Sequence, residues 1–165
     1  MVMAMSEASQ LESEIIKRYS AEIPIRVGAL AKALGIGVLR STLQPGISGQ
    51  IGPSNDYSSG FVIKVNRHEA NTRQRFTIAH EIGHYVLHKE KIGLGITDTV
   101  LYRSKLSSSL EVEANRFAAD LIMPMKSIRE KIAGIGRGLD RSVAHELAQI
   151  FEVSTDAMEI RLRLR

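Results

Sequence analysis

Apolar residues near the start of the chain recur at intervals of three or four, which is the spacing of one face of an α-helix. A first helix is predicted from Ser9 to Tyr19. A second helix follows Pro24 and ends at Gly35, a residue that suits the left-handed backbone found at helix C-termini. The chain is therefore expected to begin with two amphipathic helices.

The pattern changes between residues 36 and 66 to short runs rich in β-branched residues. Turn-forming residues, Pro45-Gly46 and the segment from Pro53 to Asp56, separate these runs. The spacing predicts three short strands that form a small antiparallel sheet. Their predicted bounds are Val38–Thr42, Ile47–Ile51 and Phe61–Val65.

Helical spacing returns in the second half of the chain. The longest predicted helix begins at Asn71 or Thr72 and ends at His88, and the Gly-, Ser- and Thr-rich stretch Lys89–Ser108 is predicted to be irregular. These elements predict an α+β fold: a mainly helical single domain over residues 1–165, with the small antiparallel sheet packed against the longest helix. Residues 1–23 are predicted to form an N-terminal helical extension and residues 24–165 the core. The remaining predicted helices are Ser109–Met123, Met125–Ala133, Ser142–Phe151 and Thr155–Arg163.

The composition, 44% hydrophobic and 24% charged, is that of a globular chain. Cysteine is absent, which excludes disulfides and thiolate metal ligands and leaves imidazole and carboxylate groups for any metal site. The apolar start from Met1 to Met5 lacks the preceding positive charge of a signal peptide, and no stretch approaches the roughly 20 apolar residues of a membrane span. We therefore expect a cytoplasmic protein without a membrane segment.

The formal net charge of +4 favours nucleic acid or an acidic partner only weakly. Basic residues are scattered along the chain, apart from Arg161, Arg163 and Arg165 at its end. The segment from Leu147 to Leu162 has the pattern of half a helix-turn-helix, a pattern that core helices also show. Direct DNA binding is therefore a secondary hypothesis.

The candidate chemistry lies in the longest predicted helix, which contains His80-Glu81-Ile82-Gly83-His84. Two histidines four residues apart project from one face about one turn apart, so both imidazoles can bind one metal ion. The Glu81 carboxylate lies beside them, where it can take a proton from a water molecule on the metal and pass it to a leaving amine. This pattern predicts a zinc metallopeptidase site.

A catalytic zinc usually has three protein ligands and one open position, so a third ligand is required. One class of metalloproteases uses a third histidine six residues after the second, but Glu90 occupies that position here. His88 lies one turn beyond His84 on the same helix, displaced around its axis. We therefore expect His88 to contact a ligand or to pack, and not to bind the metal.

The helix after the irregular stretch offers two carboxylates for the third ligand. Glu111 borders its apolar face, in line with Asn115, whereas Glu113 points further toward solvent. Small residues at Ala114 and Ala118 allow this helix to pack closely against the one with the histidines. We predict Glu111 as the third ligand and Asn115 as a hydrogen-bond partner of a ligand, with Glu113 as the alternative ligand.

At these residues the chain resembles the ImmA/IrrE family of zinc metallopeptidases, which are gluzincin-like enzymes with an HExxH motif and a downstream glutamate. The resemblance rests on the segments Arg73–His84 and Glu111–Pro124. It implies that His80, His84 and Glu111 bind Zn²⁺ and that Glu81 is the general base. It also implies a protein substrate, typically a helix-turn-helix repressor encoded by a neighbouring gene of a mobile genetic element or stress-response operon.

The predicted function is therefore a zinc-dependent endopeptidase that cleaves a repressor and relieves transcriptional repression, with residues 24–165 as its peptidase core. The alternative is a regulatory zinc protein that binds DNA or a partner without efficient catalysis, and a further one is a closed structural zinc site. Glu81 favours the enzyme, because pure binding has no need of it. The candidates for stabilising the oxyanion are Tyr57, Tyr85 and Tyr102.

Overall fold

The computed structural model describes residues 7–92 and 108–165. The start of the chain at Met1 to Met5 and most of the predicted irregular stretch lie outside these ranges. Within them, no helix has the length and apolar character needed to cross a membrane. The helices are α1 (Glu7–Ser20), α2 (Val27–Ala33), α3 (Asn71–Ile92), α4 (Ser108–Ile122), α5 (Met125–Ile135), α6 (Arg141–Phe151) and α7 (Thr155–Arg161), and the strands are β1 (Gly37–Ser41), β2 (Gly49–Pro53) and β3 (Phe61–Asn66).

The three strands form one sheet in the order β1-β3-β2. β1 runs parallel to β3, with Val38 beside Ile63, and β2 runs antiparallel to β3, with Ile51 on the other side of Ile63. The predicted α+β class is confirmed. The prediction of a wholly antiparallel sheet is wrong, because the sheet is mixed.

The composition of β2 explains why it lies at an edge of the sheet. Gly49, Gly52 and Pro53 occupy three of its five positions, and a proline cannot donate a ladder hydrogen bond. β3 instead takes the central position, where Ile63 and Val65 are fully buried. β1 then pairs with the free side of β3 in the parallel direction.

Helices α3 and α4 pack closely against each other because small residues line their contact. Ala114 and Ala118 of α4 are fully buried, as the spacing of small residues indicated. On α3, a Cβ atom at Gly83 would lie only 3.0 Å from Cδ1 of Phe117. This close approach sets the histidine-bearing face of α3 against the start of α4.

The C-terminal helices belong to the hydrophobic core. Leu147 and Phe151 of α6 and Met158 of α7 are fully buried. The guanidinium of Arg75 on α3 donates to the carbonyl oxygens of Phe151 and Glu152, at the C-terminus of α6. Burial lowers the pKa of Arg75, and the nearby Glu152 carboxylate opposes that shift. Arg75 therefore ties α3 to the C-terminal helices.

Contact between β2 and α3 depends on the absence of a side chain at Gly49. A Cβ atom there would lie 2.4 Å from Cγ2 of Thr77 and 2.9 Å from the backbone oxygen of Lys64. We expect Gly49→Ala to lower the free energy of unfolding by about 1–3 kcal/mol, since strand and helix must separate. Urea denaturation measures this change.

The matched control is Gly28→Ala in α2, where no atom beyond the adjacent residues and the helix's own backbone lies within 4 Å of the added methyl group. Alanine restricts the unfolded chain and favours a helix, so this variant should gain about 0.5–1 kcal/mol. Equal stability of the two variants would contradict the proposed packing of α3 on β2.

Candidate metal centre

Helix α3 carries the HExxH residues on a buried surface. His80, Glu81 and His84 are 7%, 1% and 3% exposed. The sheet covers one side of this helix and α4 covers another. The two imidazoles meet edge to face, with their ring centroids 4.7 Å apart. Helix α3 thus places these three polar side chains in the protein interior, where each needs a hydrogen-bond partner.

Glu111, in the first turn of α4, meets both imidazoles. Its Oε1 lies 3.0 Å from Nε2 of His84 and its Oε2 lies 3.2 Å from Nε2 of His80. The two Nε2 atoms are 3.1 Å apart. The two imidazoles in contact with it hold the pKa of Glu111 well below its usual range, so this carboxylate is ionised at neutral pH.

Asn115, one turn after Glu111, determines which nitrogen of His80 carries the proton. Its Oδ1 atom lies 2.9 Å from Nδ1 of His80. An amide oxygen only accepts, so Nδ1 of His80 is the donor and the Nε2 of the neutral ring keeps its lone pair. That lone pair faces the ionised carboxylate of Glu111. Two acceptors at 3.2 Å repel each other unless a proton or a metal cation lies between them.

The size and chemistry of this cluster fit a small divalent transition metal. Zinc bound at about 2.0–2.1 Å to imidazole and carboxylate in tetrahedral geometry has ligand atoms roughly 3.3 Å apart. The separations of 3.0, 3.1 and 3.2 Å in the structure are close to that value. In the described part of the chain, His80, His84 and Glu111 form the one group able to hold a metal ion. Three ligands would leave a fourth position open, as in catalytic sites.

Comparison with known proteins agrees with this geometry. A model of the M78 peptidase family, described as the IrrE N-terminal-like domain, matches residues 31–163. The chain belongs to this family. The match includes both α3 and α4, and the predicted membership of the ImmA/IrrE family is thereby confirmed.

Two curated relatives in this peptidase family are named as proteases. The chain is 32% identical over 102 residues to the metallopeptidase ImmA of Bacillus subtilis, an alignment that covers 62% of this chain and 55% of the relative. It is 35% identical over 96 residues to the radiation response metalloprotease IrrE of Deinococcus radiodurans, covering 58% of this chain and 29% of that protein. The aligned part is thus about half of one relative and less than a third of the other.

A solved structure shares the fold of this M78 family member. It is a Mycobacterium tuberculosis transcriptional regulator with a TM-score of 0.58 and 17% sequence identity. The alignment covers 93% of this chain and 46% of that one. At this level of identity the similarity concerns the fold alone.

The two carboxylates considered for the third ligand occupy different places in this member of the M78 family. The structure brings Glu111 to the imidazole pair, whereas Oε2 of Glu113 lies 2.8 Å from Nε2 of His88. His88 in turn contacts Nδ1 of His84, on the opposite side of that ring from Glu111 and His80. The geometry therefore does not favour a closed structural zinc site with His88 or Glu113 as a fourth ligand.

Two of the three tyrosines proposed for the oxyanion, Tyr57 and Tyr85, lie away from the cluster of His80, His84 and Glu111. Tyr85 follows His84 in sequence but faces another side of α3, where it packs edge-on against Phe61 with a centroid separation of 5.6 Å. Burial raises its pKa. Tyr57 lies against Gly37 at the start of β1. Tyr102 lies outside the described residues.

Other polar residues border the cluster instead. A small cavity of about 200 Å³ is lined by Ser48, Arg73 and Thr77 together with His80 and Glu111. The sequence pattern assigns no definite role to these three residues. Ser48 precedes β2 and reaches the site only because β2 packs on α3. Arg73 is 61% exposed and pairs with Glu69 at 3.7 Å. It is the cationic side chain at the mouth of this cavity.

Proposed function

We propose that the protein is a zinc-dependent endopeptidase that cleaves a helix-turn-helix repressor and so relieves transcriptional repression. The observation that carries the proposal is the convergence of Nε2 of His80, Nε2 of His84 and the Glu111 carboxylate within 3.2 Å, next to the buried Glu81. Membership of a peptidase family supports the same chemistry. The choice of a repressor as substrate follows from the family resemblance alone.

In this proposal His80, His84 and Glu111 hold the zinc. When bound there, zinc would supply Lewis acidity toward a peptide carbonyl and toward the attacking water. The Glu81 carboxylate accepts the proton of the attacking water and later delivers it to the departing amine nitrogen. Its position next to His80 in a buried helix keeps bulk water away from this proton transfer. Asn115 keeps His80 in the tautomer that presents Nε2.

A groove beside the cluster supports a protein as the substrate. Its volume is about 1130 Å³, and Arg73, Phe76 and Asn115 line both the groove and the small cavity at the metal cluster. A helix about 10–12 Å wide with a pitch of 5.4 Å occupies roughly 420–610 Å³ per turn, so the volume of the groove is comparable to that of about two turns. A protein segment in the groove would therefore lie next to the metal ligands.

The lining of the groove is apolar with a basic rim. Ile160 and Leu139 are 63% and 44% exposed in it. Arg129 and Arg163 also line it, and neither forms a side-chain ion pair with any residue that the structure describes. Such a surface suits a protein segment that has an apolar face flanked by acidic residues.

Changing the groove should weaken substrate binding without altering the metal site. We expect Ile160→Asp to lower kcat/KM for the protein substrate about tenfold or more, because a buried apolar side chain of this size contributes roughly 1.5–3 kcal/mol. The loss should appear mainly in KM, with zinc content unchanged. Steady-state cleavage assays and metal analysis measure the two quantities.

Leu11→Asp is the matched control, since Leu11 on α1 is equally exposed, at 59%, and does not line the groove. Its kcat/KM should stay at the wild-type value. If the two variants cleave equally well, the substrate binds elsewhere. The proposal as a whole is tested by incubating the protein with the repressor encoded beside its gene, with zinc and with a chelator, and zinc-dependent cleavage is the expected result.

A further inference from the structure

A chain of hydrogen bonds leads away from the metal cluster on the far side of His84. Nδ1 of His84 lies 2.9 Å from Nδ1 of His88, and Nε2 of His88 lies 2.8 Å from Oε2 of Glu113. His88 is 5% exposed, whereas the side chain of Glu113 is 55% exposed. This series of hydrogen bonds therefore runs from the solvated carboxylate of Glu113 on α4 to the buried imidazole of His84 on α3.

The chemistry of these groups fixes where each proton lies. A carboxylate oxygen of Glu113 accepts in this contact, so Nε2 of His88 carries a proton and donates it. In a neutral His88 ring the other nitrogen, Nδ1, then keeps a lone pair and must accept. The proton between the two rings therefore belongs to Nδ1 of His84. His84 consequently presents the lone pair of Nε2 to Glu111 and His80.

The backbone of α3 departs from helical geometry at His88, the residue that connects His84 to Glu113. His88 has φ −127° and ψ 23°, although the helix continues to Ile92. A buried imidazole without partners would be costly, and here both of its nitrogens are within hydrogen-bond distance of a neighbour. The kink and the two contacts fix the place of the His88 ring between His84 and Glu113.

We infer that His88 and Glu113 are positioning residues, which hold His84 in the tautomer and ring orientation needed to bind zinc. This inference rests on the proposed function, because it assigns the metal to Nε2 of His84. Partners of this kind usually contribute about 10- to 100-fold to metal affinity. Asn115 has the corresponding role for His80. Each imidazole is thus held by a residue of α4: His80 directly by Asn115, and His84 by Glu113 through His88.

The test compares zinc affinity in three variants of the full chain by competition with a chromogenic chelator. Glu113→Ala should bind zinc about 10- to 100-fold more weakly than wild type. Glu113→Gln keeps an oxygen that accepts from His88 and should restore most of the affinity. Glu90→Ala removes an exposed carboxylate near the end of the same helix as His88 and should have no effect.

A second readout separates ligand orientation from a general loss of stability. With Co²⁺ in place of zinc, the visible absorption bands of Glu113→Ala should shift relative to wild type, and those of Glu90→Ala should not. The metal-free melting temperature of Glu113→Ala should fall modestly, because the buried His88 loses a partner, and the Co²⁺ bands report the ligand geometry separately from that loss.

The outcomes distinguish this inference from the proposed function. Wild-type protein that binds no zinc would end both. Tight zinc binding by wild type together with equal affinity of Glu113→Ala and Glu90→Ala would overturn the positioning role and leave the enzyme proposal intact. An equal loss of affinity in Glu113→Gln and Glu113→Ala would also overturn it, since the hydrogen-bond acceptor would then be irrelevant.

Discussion

Glu81→Gln should retain zinc at wild-type affinity and cleave its substrate at least about 10²- to 10⁴-fold more slowly. Glutamine has nearly the shape and reach of glutamate, which matters at a side chain that is 1% exposed. Its neutral amide cannot accept the proton of an attacking water. Glu81 is also absent from the cluster of three possible ligands, so the metal should remain bound.

The measurement pairs single-turnover cleavage of the repressor with metal analysis of the same sample. In cells, the variant should behave like a strain that lacks the protein. If Glu81→Gln relieved repression as well as wild type does, proteolysis could not be the mechanism. The regulatory zinc protein that acts by binding would then be the better account.

His80→Ala should lose both zinc and activity. Structural zinc sites with four ligands bind with roughly 10–16 kcal/mol, or about 2.5–4 kcal/mol per ligand, so the loss of one protein ligand here should weaken binding about 10²- to 10³-fold. Glu111→Ala should fall in the same range, because its carboxylate oxygens lie 3.2 and 3.0 Å from the two imidazoles. Zinc titration against a competing chelator measures both variants.

His145→Ala is the control for the loss of an imidazole. His145 lies on the exposed side of α6, where its Nδ1 contacts Oγ1 of Thr155 at 3.2 Å. Zinc affinity and cleavage should be unchanged in this variant. If Glu111→Ala bound zinc as tightly as His145→Ala, Glu111 would not be a ligand, and Glu113 would be the remaining candidate.

Most of the fold and the place of the candidate site could be predicted because they depend on local patterns. Helical periodicity fixed the helices to within a few residues, and the four-residue spacing of His80 and His84 guarantees that their side chains lie together. Glu111 could be chosen over Glu113 from the phase of one helix, since the apolar face of α4 had to meet α3. In the structure Glu111 lies within 3.2 Å of both imidazoles, and Glu113 contacts His88.

Other features depend on contacts between distant parts of the chain. The parallel pairing of β1 with β3 depends on which strand takes the centre of the sheet, and alternation of residues does not encode strand order. Tyr85 lies away from the cluster because one residue along a helix is a rotation of about 100°. The contact between His88 and Glu113 joins two helices whose relative rotation no single segment specifies.

The most direct test of the enzyme proposal is intact-mass spectrometry of the repressor encoded beside this gene. The repressor is incubated with zinc-loaded wild type and, in parallel, with zinc-loaded Glu81→Gln. Wild type should yield two fragments whose masses add up to the repressor plus one water molecule, and the variant should leave the repressor intact. A wild-type protein that relieves repression in cells while the repressor keeps its full mass would contradict the account.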